Sequence, residues 1–201
     1  MDKEEIAQTM PGIRQGFEIL KEHLRDGRMH QASRQLFGAC LAWGAELAKV
    51  YRADDRQALS ARDPLTRFFV TRLRGMPAPA DLSDAPASAL FLMAFTAFPY
   101  VDALMDETTI GAHSGFDEDG NRVVRRILAG EEDGSTIRAS RDGAEWSFDL
   151  MPVYMAKATA MEDFIAQEFQ GDFDAFLWRY VADHDLLFDM EQAWRPLMAE
   201  A

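Results

Sequence analysis

Residues Ser135–Leu150 read "STIRASRDGAEWSFDL", and how this stretch folds decides the architecture. From Ala144 to Leu150 the alternation is strict: Ala144, Trp146, Phe148 and Leu150 fall on one side, Glu145, Ser147 and Asp149 on the other. A period of two residues marks a strand with one face buried. Asp142-Gly143 precedes it, and such a pair supplies the positive φ angles of a tight hairpin turn. Two similar pairs lie upstream, Asp119-Gly120 and Asp133-Gly134, separating "TTIGAHSGF" (108–116), "RVVRRIL" (122–128) and "STIRAS" (135–140). The expectation is an antiparallel meander of three or four strands.

Two-residue turns at Asp133-Gly134 and Asp142-Gly143 would pair Leu128 with Ala139 and Ala139 with Trp146. One face then gathers Val124, Leu128, Ile137, Ala139, Trp146, Phe148 and Leu150, a core face. The other gathers Arg125, Thr136, Arg138, Ser140, Glu145, Ser147 and Asp149, a polar face carrying two arginines.

Outward from the meander the periodicity becomes helical. "SALFLMAFTAFPYV" (88–101) lies in an uncharged window, with Phe91, Phe95 and Phe98 at i, i+4 and i+7. A spanning helix needs about 20 apolar residues. This window is shorter and broken by Pro86 and Pro99, so it reads as a central core helix, apolar nearly all round. Earlier, Ile13, Phe17, Leu20 and Leu24 form a stripe that Gly27 ends. Leu36, Cys40, Trp43, Leu47 and Tyr51 form a second, longer one. Asp63-Pro64 supplies an N-cap and a first-turn proline for a third helix carrying Leu65, Phe68, Phe69 and Leu73. "GMPAPADLSDAPA" (75–87) interrupts the helices. After the meander, Pro152 opens a helix with Tyr154, Met161, Phe164, Ile165 and Phe169. Asp172 caps another with Phe173, Phe176, Leu177, Tyr180 and Val181.

The fold class expected is α+β: N-terminal helices, a central buried helix, the meander and C-terminal helices. With 201 residues, 48% of them apolar, one domain over 1–201 is expected. Any subdivision falls between a helical segment, residues 1–75, and the remainder, residues 88–201. The single cysteine, Cys40, excludes an internal disulfide and suits a reducing compartment. The acidic start "MDKEEIAQTM" lacks the apolar core of a secretory signal, so a cytoplasmic location is expected.

A net charge of −13 argues against nucleic acid, whose phosphates attract lysine and arginine. No zinc motif, serine elbow or phosphate-cradling glycine loop occurs, and no metal site or cofactor is expected. His184-Asp185 with Asp189 superficially resembles an HD-type metal site, for which only His23 and His30 could supply the earlier histidines; it reads as solvated charge on a terminal helix. "DEDGN" (117–121) carries its glycine at the fourth position, where a calcium loop needs it at the sixth. It reads as a turn.

Two charge features remain. Six arginines lie between Arg52 and Arg74, an excess suited to an acidic surface, the chain's own C-terminal region included. From Ala158 to Ala201, ten acids face only Arg179 and Arg195. Asp183, Asp185 and Asp189, with Trp178 and Trp194, form the candidate surface for a basic protein partner. The function expected is therefore a non-catalytic binding protein, in the manner of immunity proteins or secretion chaperones, an analogy of profile and not of motif. The alternative is a small-molecule-binding protein or enzyme with an apolar pocket between sheet and helices. Trp146 and Phe148 would line that pocket, or Arg125 and Arg138 would hold an anion on the open face of the sheet.

Overall fold

The hairpin at Gly143 is present in a computed structural model of the chain, which describes residues 3–79, 81–82, 84–97 and 101–197. Strands β1 (Thr108–Phe116), β2 (Arg122–Leu128), β3 (Glu131–Asp142) and β4 (Glu145–Asp149) form one antiparallel sheet in the order β1-β2-β3-β4. Among the described residues the helices that precede it are α1 (Lys3–Arg25), α2 (Met29–Arg34), α3 (Ala39–Ala53), α4 (Arg56–Ser60), α5 (Pro64–Arg74), α6 (Ala87–Phe95) and α7 (Val101–Glu107). After it come α8 (Met151–Phe169), α9 (Phe173–Asp183) and α10 (Met190–Ala193). The fold class is α+β, and one cluster of buried apolar side chains runs from Met10 to Trp194.

The register differs from the one that Asp-Gly turns imply. Asp142 pairs with Glu145, so Gly143-Ala144 is the turn and Ala139 lies opposite Phe148. Only Gly143 of that turn has positive φ, as in a type II′ hairpin. The β2–β3 turn is not Asp133-Gly134 but Ala129-Gly130, both at positive φ, with Leu128 opposite Glu131. Asp133-Gly134-Ser135 is a bulge in β3 opposite Arg126, and there Asp133 accepts from Arg126 Nε at 2.8 Å. The carboxyl is held down at about 2 chiefly by that hydrogen bond. Asp119-Gly120 does sit in a turn, the 117–121 loop between β1 and β2.

These slips are even-numbered, so each side chain keeps its expected face. Val124, Ile137, Ala139, Trp146, Phe148 and Leu150 are buried, while Leu128 at the strand end is half-buried. Asp149 is the exception on the polar side, buried beneath the chain at Gly38–Cys40.

The second long helix expected from Leu36 to Tyr51 is broken. Residues 35–37 instead run beside β4: Phe148 N donates to Gln35 O at 2.8 Å, and Phe37 N donates to Phe148 O at 3.3 Å. Gly38, at φ 70°, turns the chain into α3.

In α6, Leu90, Phe91, Leu92, Ala94 and Phe95 are buried, Ala87–Ala89 are half-buried and Met93 is exposed. Each of the buried Leu and Phe side chains is worth roughly 1.5–3 kcal/mol. Phe98 and Pro99, expected at its end, lie outside the described residues. Phe91 meets Trp43, Phe95 and Tyr154 with ring centroids 5.4–5.9 Å apart. α3 crosses α6 at Gly44, whose missing side chain admits the Ala87 carbonyl.

The arginine-rich segment docks on the chain's own C-terminal helices. Arg56 pairs with Asp174 and lies over Trp194, Arg67 lies over Phe173 and Arg72 over Tyr180. Arg74 is wholly buried and donates to Val50, Tyr51 and Asp54 carbonyls at 2.8–2.9 Å, closing the end of α3. Its own carbonyl accepts from Gln192, and Gly75 O accepts from Asp189 N. No described helix is long and apolar enough to cross a membrane.

Candidate functional site

α1 carries two stripes. Ile13, Phe17 and Leu20 enter the core, where Phe17 meets Phe148 edge-on at 5.2 Å. Beside them Gln8, Gly12, Gln15, Gly16, Ile19 and His23, which recur at helical spacing on a neighbouring face, line a cleft of about 730 Å3. Its opposite walls are Gln31, Arg34 and Gln35, at the end of α2, and Arg141, Ala144, Glu145 and Trp146 of the β3–β4 hairpin. The glycines set its floor. A Cβ on Gly16 would lie 2.7 Å from Trp146 Cβ, and one on Gly12 would lie 3.1 Å from Trp146 Nε1, so the indole fills the space that they leave.

Most of the lining residues are polar, beside apolar surface from Ile19, Ala144 and Trp146. The Gln side chains each offer two donors and an acceptor. His23 Nδ1 lies 2.8 Å from Gln35 Oε1, and Gln35 is itself anchored to Phe148 through its carbonyl. With that oxygen as acceptor, Nδ1–H is the donor of this bond. Arg141 and Arg122 each lie 5.6 Å from the Trp146 ring centroid, within cation–π range. Across the mouth Arg34 and Glu145 approach to 3.8 Å, both well exposed.

This arrangement offers hydrogen bonds, ring stacking and charge to a ligand of the cleft. Among the described residues no three His, Cys, Asp or Glu converge as a metal site. Cys40 lies outside the cleft; burial pushes its thiol up to about 12, and its Sγ donates to Phe37 O. It is a packing residue.

The residues singled out from sequence fall in three places. Trp146 lines the cleft, but Phe148 is completely buried behind it. Arg125 is on the open face of the sheet beside a depression of about 270 Å3, with Nη1 2.6 Å from Glu132. Arg138 is committed to Asp149, which it approaches through Nε at 3.1 Å and more closely through Nη2, and to Asp117 at 3.6 Å. Asp149 also accepts from Ala39, Cys40 and Met151 backbone N–H groups at 3.1–3.3 Å, so this pair joins the sheet to α3 and α8. At the C-terminus Trp178 is 55% exposed, whereas Trp194 is 8% exposed and packs on Phe173 and Arg56. The expectation of Trp194 as a surface anchor is therefore corrected: its ring is drawn inward by the arginine segment. Asp183 pairs with Arg179, Asp185 is exposed at φ 48°, and Asp189 caps α10 by accepting from Glu191 and Gln192 N–H at 2.9 Å.

Comparison of the chain with known families, with curated proteins and with solved structures finds no match. The cleft is not legible in the sequence as a motif. Its one local signal is the stripe of small and amide residues flanking the core stripe of α1.

Proposed function

We propose that this protein is a binding protein whose ligand is a polar molecule held in the cleft between α1, α2 and the β3–β4 hairpin. The observation that carries the reading is the second stripe of α1: glutamines and glycines laid against the edge of a tryptophan in a cavity of about 730 Å3. That volume lies in the ordinary range of small-molecule sites, roughly 300–1,000 Å3. The site lies between sheet and helices, as the small-molecule alternative expects, but most of its lining residues are polar and the apolar interior beside it is filled by side chains such as Phe17 and Phe148. The test is ligand-detected NMR with sugars, amides and amino acids against the wild type and Gln15→Trp, an exposed position where an indole obstructs the cleft. Binders should shift the Trp146 indole resonance and lose affinity in the variant. If no compound moves that resonance at millimolar concentration, the reading fails.

A second reading rests on the other end of the molecule. Trp178 at 55% and Leu187 at 80% exposure stand among Asp183, Asp185 and Arg179, a surface suited to a basic protein. Reversing Asp183 and Asp185 to lysine should slow association with such a partner and weaken its salt dependence. Unchanged association kinetics in the double reversal would remove this reading.

A further inference from the structure

The two edges of the sheet are closed in different ways. Along β1, Arg14 Nε donates to Ile110 O at 3.2 Å, and Lys21 Nζ donates to Thr108 O at 3.1 Å, so α1 caps carbonyls at the start of that edge with side chains. Along β4 the chain satisfies only a portion of the edge. Phe148 exchanges backbone hydrogen bonds with residues 35–37, which lie parallel to it at Leu36. Trp146 is two residues earlier, so its N–H and C=O emerge on the same edge. Among the described residues no partner meets them, and Trp146 lines the cleft.

Charge narrows the occupant. Arg141 stacks on the Trp146 ring and meets no carboxylate among the described residues, while Arg34 reaches Glu145 only at 3.8 Å. In a chain of net charge −13 this rim is locally basic. We infer that the cleft receives an extended, acidic peptide segment, which adds to the sheet at Trp146 and places an Asp or Glu side chain between Arg34 and Arg141. The inference rests on the cleft being the binding site. The isolated bridge at Leu36 already shows that this edge takes backbone hydrogen bonds from outside the sheet, and the glutamines on α1 and α2 can bond the outward amides of that peptide.

The experiment selects heptapeptides from a random displayed library on the immobilised full-length protein, then measures the synthetic winners by calorimetry and by the Trp146 indole resonance. Enriched peptides should carry Asp or Glu and shift that resonance. N-methylation of every second amide should lower affinity at least tenfold in one phase and little in the other, because only alternate amides face the strand. Arg141→Glu should weaken acidic winners at least fivefold and favour their lysine counterparts. Absence of enrichment, or affinities indifferent to the methylation phase, overturns strand addition. When polar fragments shift the Trp146 resonance and peptides do not, the cleft reading stands and the peptide falls. When neither shifts it, both fall.

Discussion

Replacing Gly44 by alanine sets two effects of opposite sign against each other. Gly44 is in the interior of α3, where alanine is favoured over glycine by about 1 kcal/mol. Against this, the new Cβ would lie 2.9 Å from the Ala87 carbonyl carbon and nearer still to its oxygen. Carbon–carbon contacts settle at about 3.5–4.0 Å, and a gap of 0.5–1 Å forfeits roughly a quarter to a half of each dispersion contact. The obstruction is backbone, which no rotamer change relieves, so α3 and α6 must separate and loosen the Trp43–Phe91 contact. Overpacking typically costs about 1–3 kcal/mol. With the upper end taken, the net loss is about 2 kcal/mol, or roughly 4–8 °C in Tm for a chain of this size. Urea and thermal unfolding followed by circular dichroism measure it. Ala45→Gly, on the exposed side of the same turn, calibrates the propensity effect alone at about 1 kcal/mol. A Gly44→Ala protein melting at or above wild type refutes the close helix crossing.

Asp149→Ala removes a carboxylate that bridges Arg138 and three backbone N–H groups; a loss of about 3 kcal/mol is expected, and a urea-derived loss under about 1 kcal/mol contradicts the bridging role. Asp133 has a folded-state pKa of about 2, below its ordinary value of 3.8, so its pairing with Arg126 stabilises fully above pH 4 and is lost as pH falls through 2. Asp133→Asn should therefore lower stability at neutral pH and flatten the acid limb of the stability profile; an unchanged acid limb speaks against the pair. Trp194→Ala should cost about 3–5 kcal/mol as a buried aromatic, while Trp178→Ala should stay within about 0.5 kcal/mol. Equal melting temperatures for the two variants would overturn the inward placement of Trp194.

What is legible in the sequence follows from periodicity. The alternation at Trp146, Phe148 and Leu150 assigns faces correctly even though the turns fall elsewhere, because register errors of two residues leave faces unchanged. Turn chemistry is ambiguous. Asp133-Gly134 has the stronger hairpin signature, but Asp133 serves as the partner of Arg126, and Ala129-Gly130 turns the chain instead. Leu36 matches a helical stripe, yet the same apolar side chain is equally satisfied beside Phe148 on a sheet edge. Trp178 and Trp194 share an acid-rich segment, and the tertiary packing of Trp194 on Arg56 and Phe173 separates the buried ring from the exposed one. The cleft needs three elements brought together, and glutamines leave no motif when they act through packing geometry.

The docking of the arginine segment also governs when the chain can finish folding during its synthesis. Arg56 and Asp174 are 118 residues apart, as are Arg74 and Gln192. At roughly 5–20 residues per second, a ribosome makes the second member about 6–24 s after the first. Throughout that interval Phe68 lacks Phe176 and Tyr180, its later ring neighbours. Chains stalled at residue 170 should therefore be cut within 56–76 by a protease that leaves the released protein intact there.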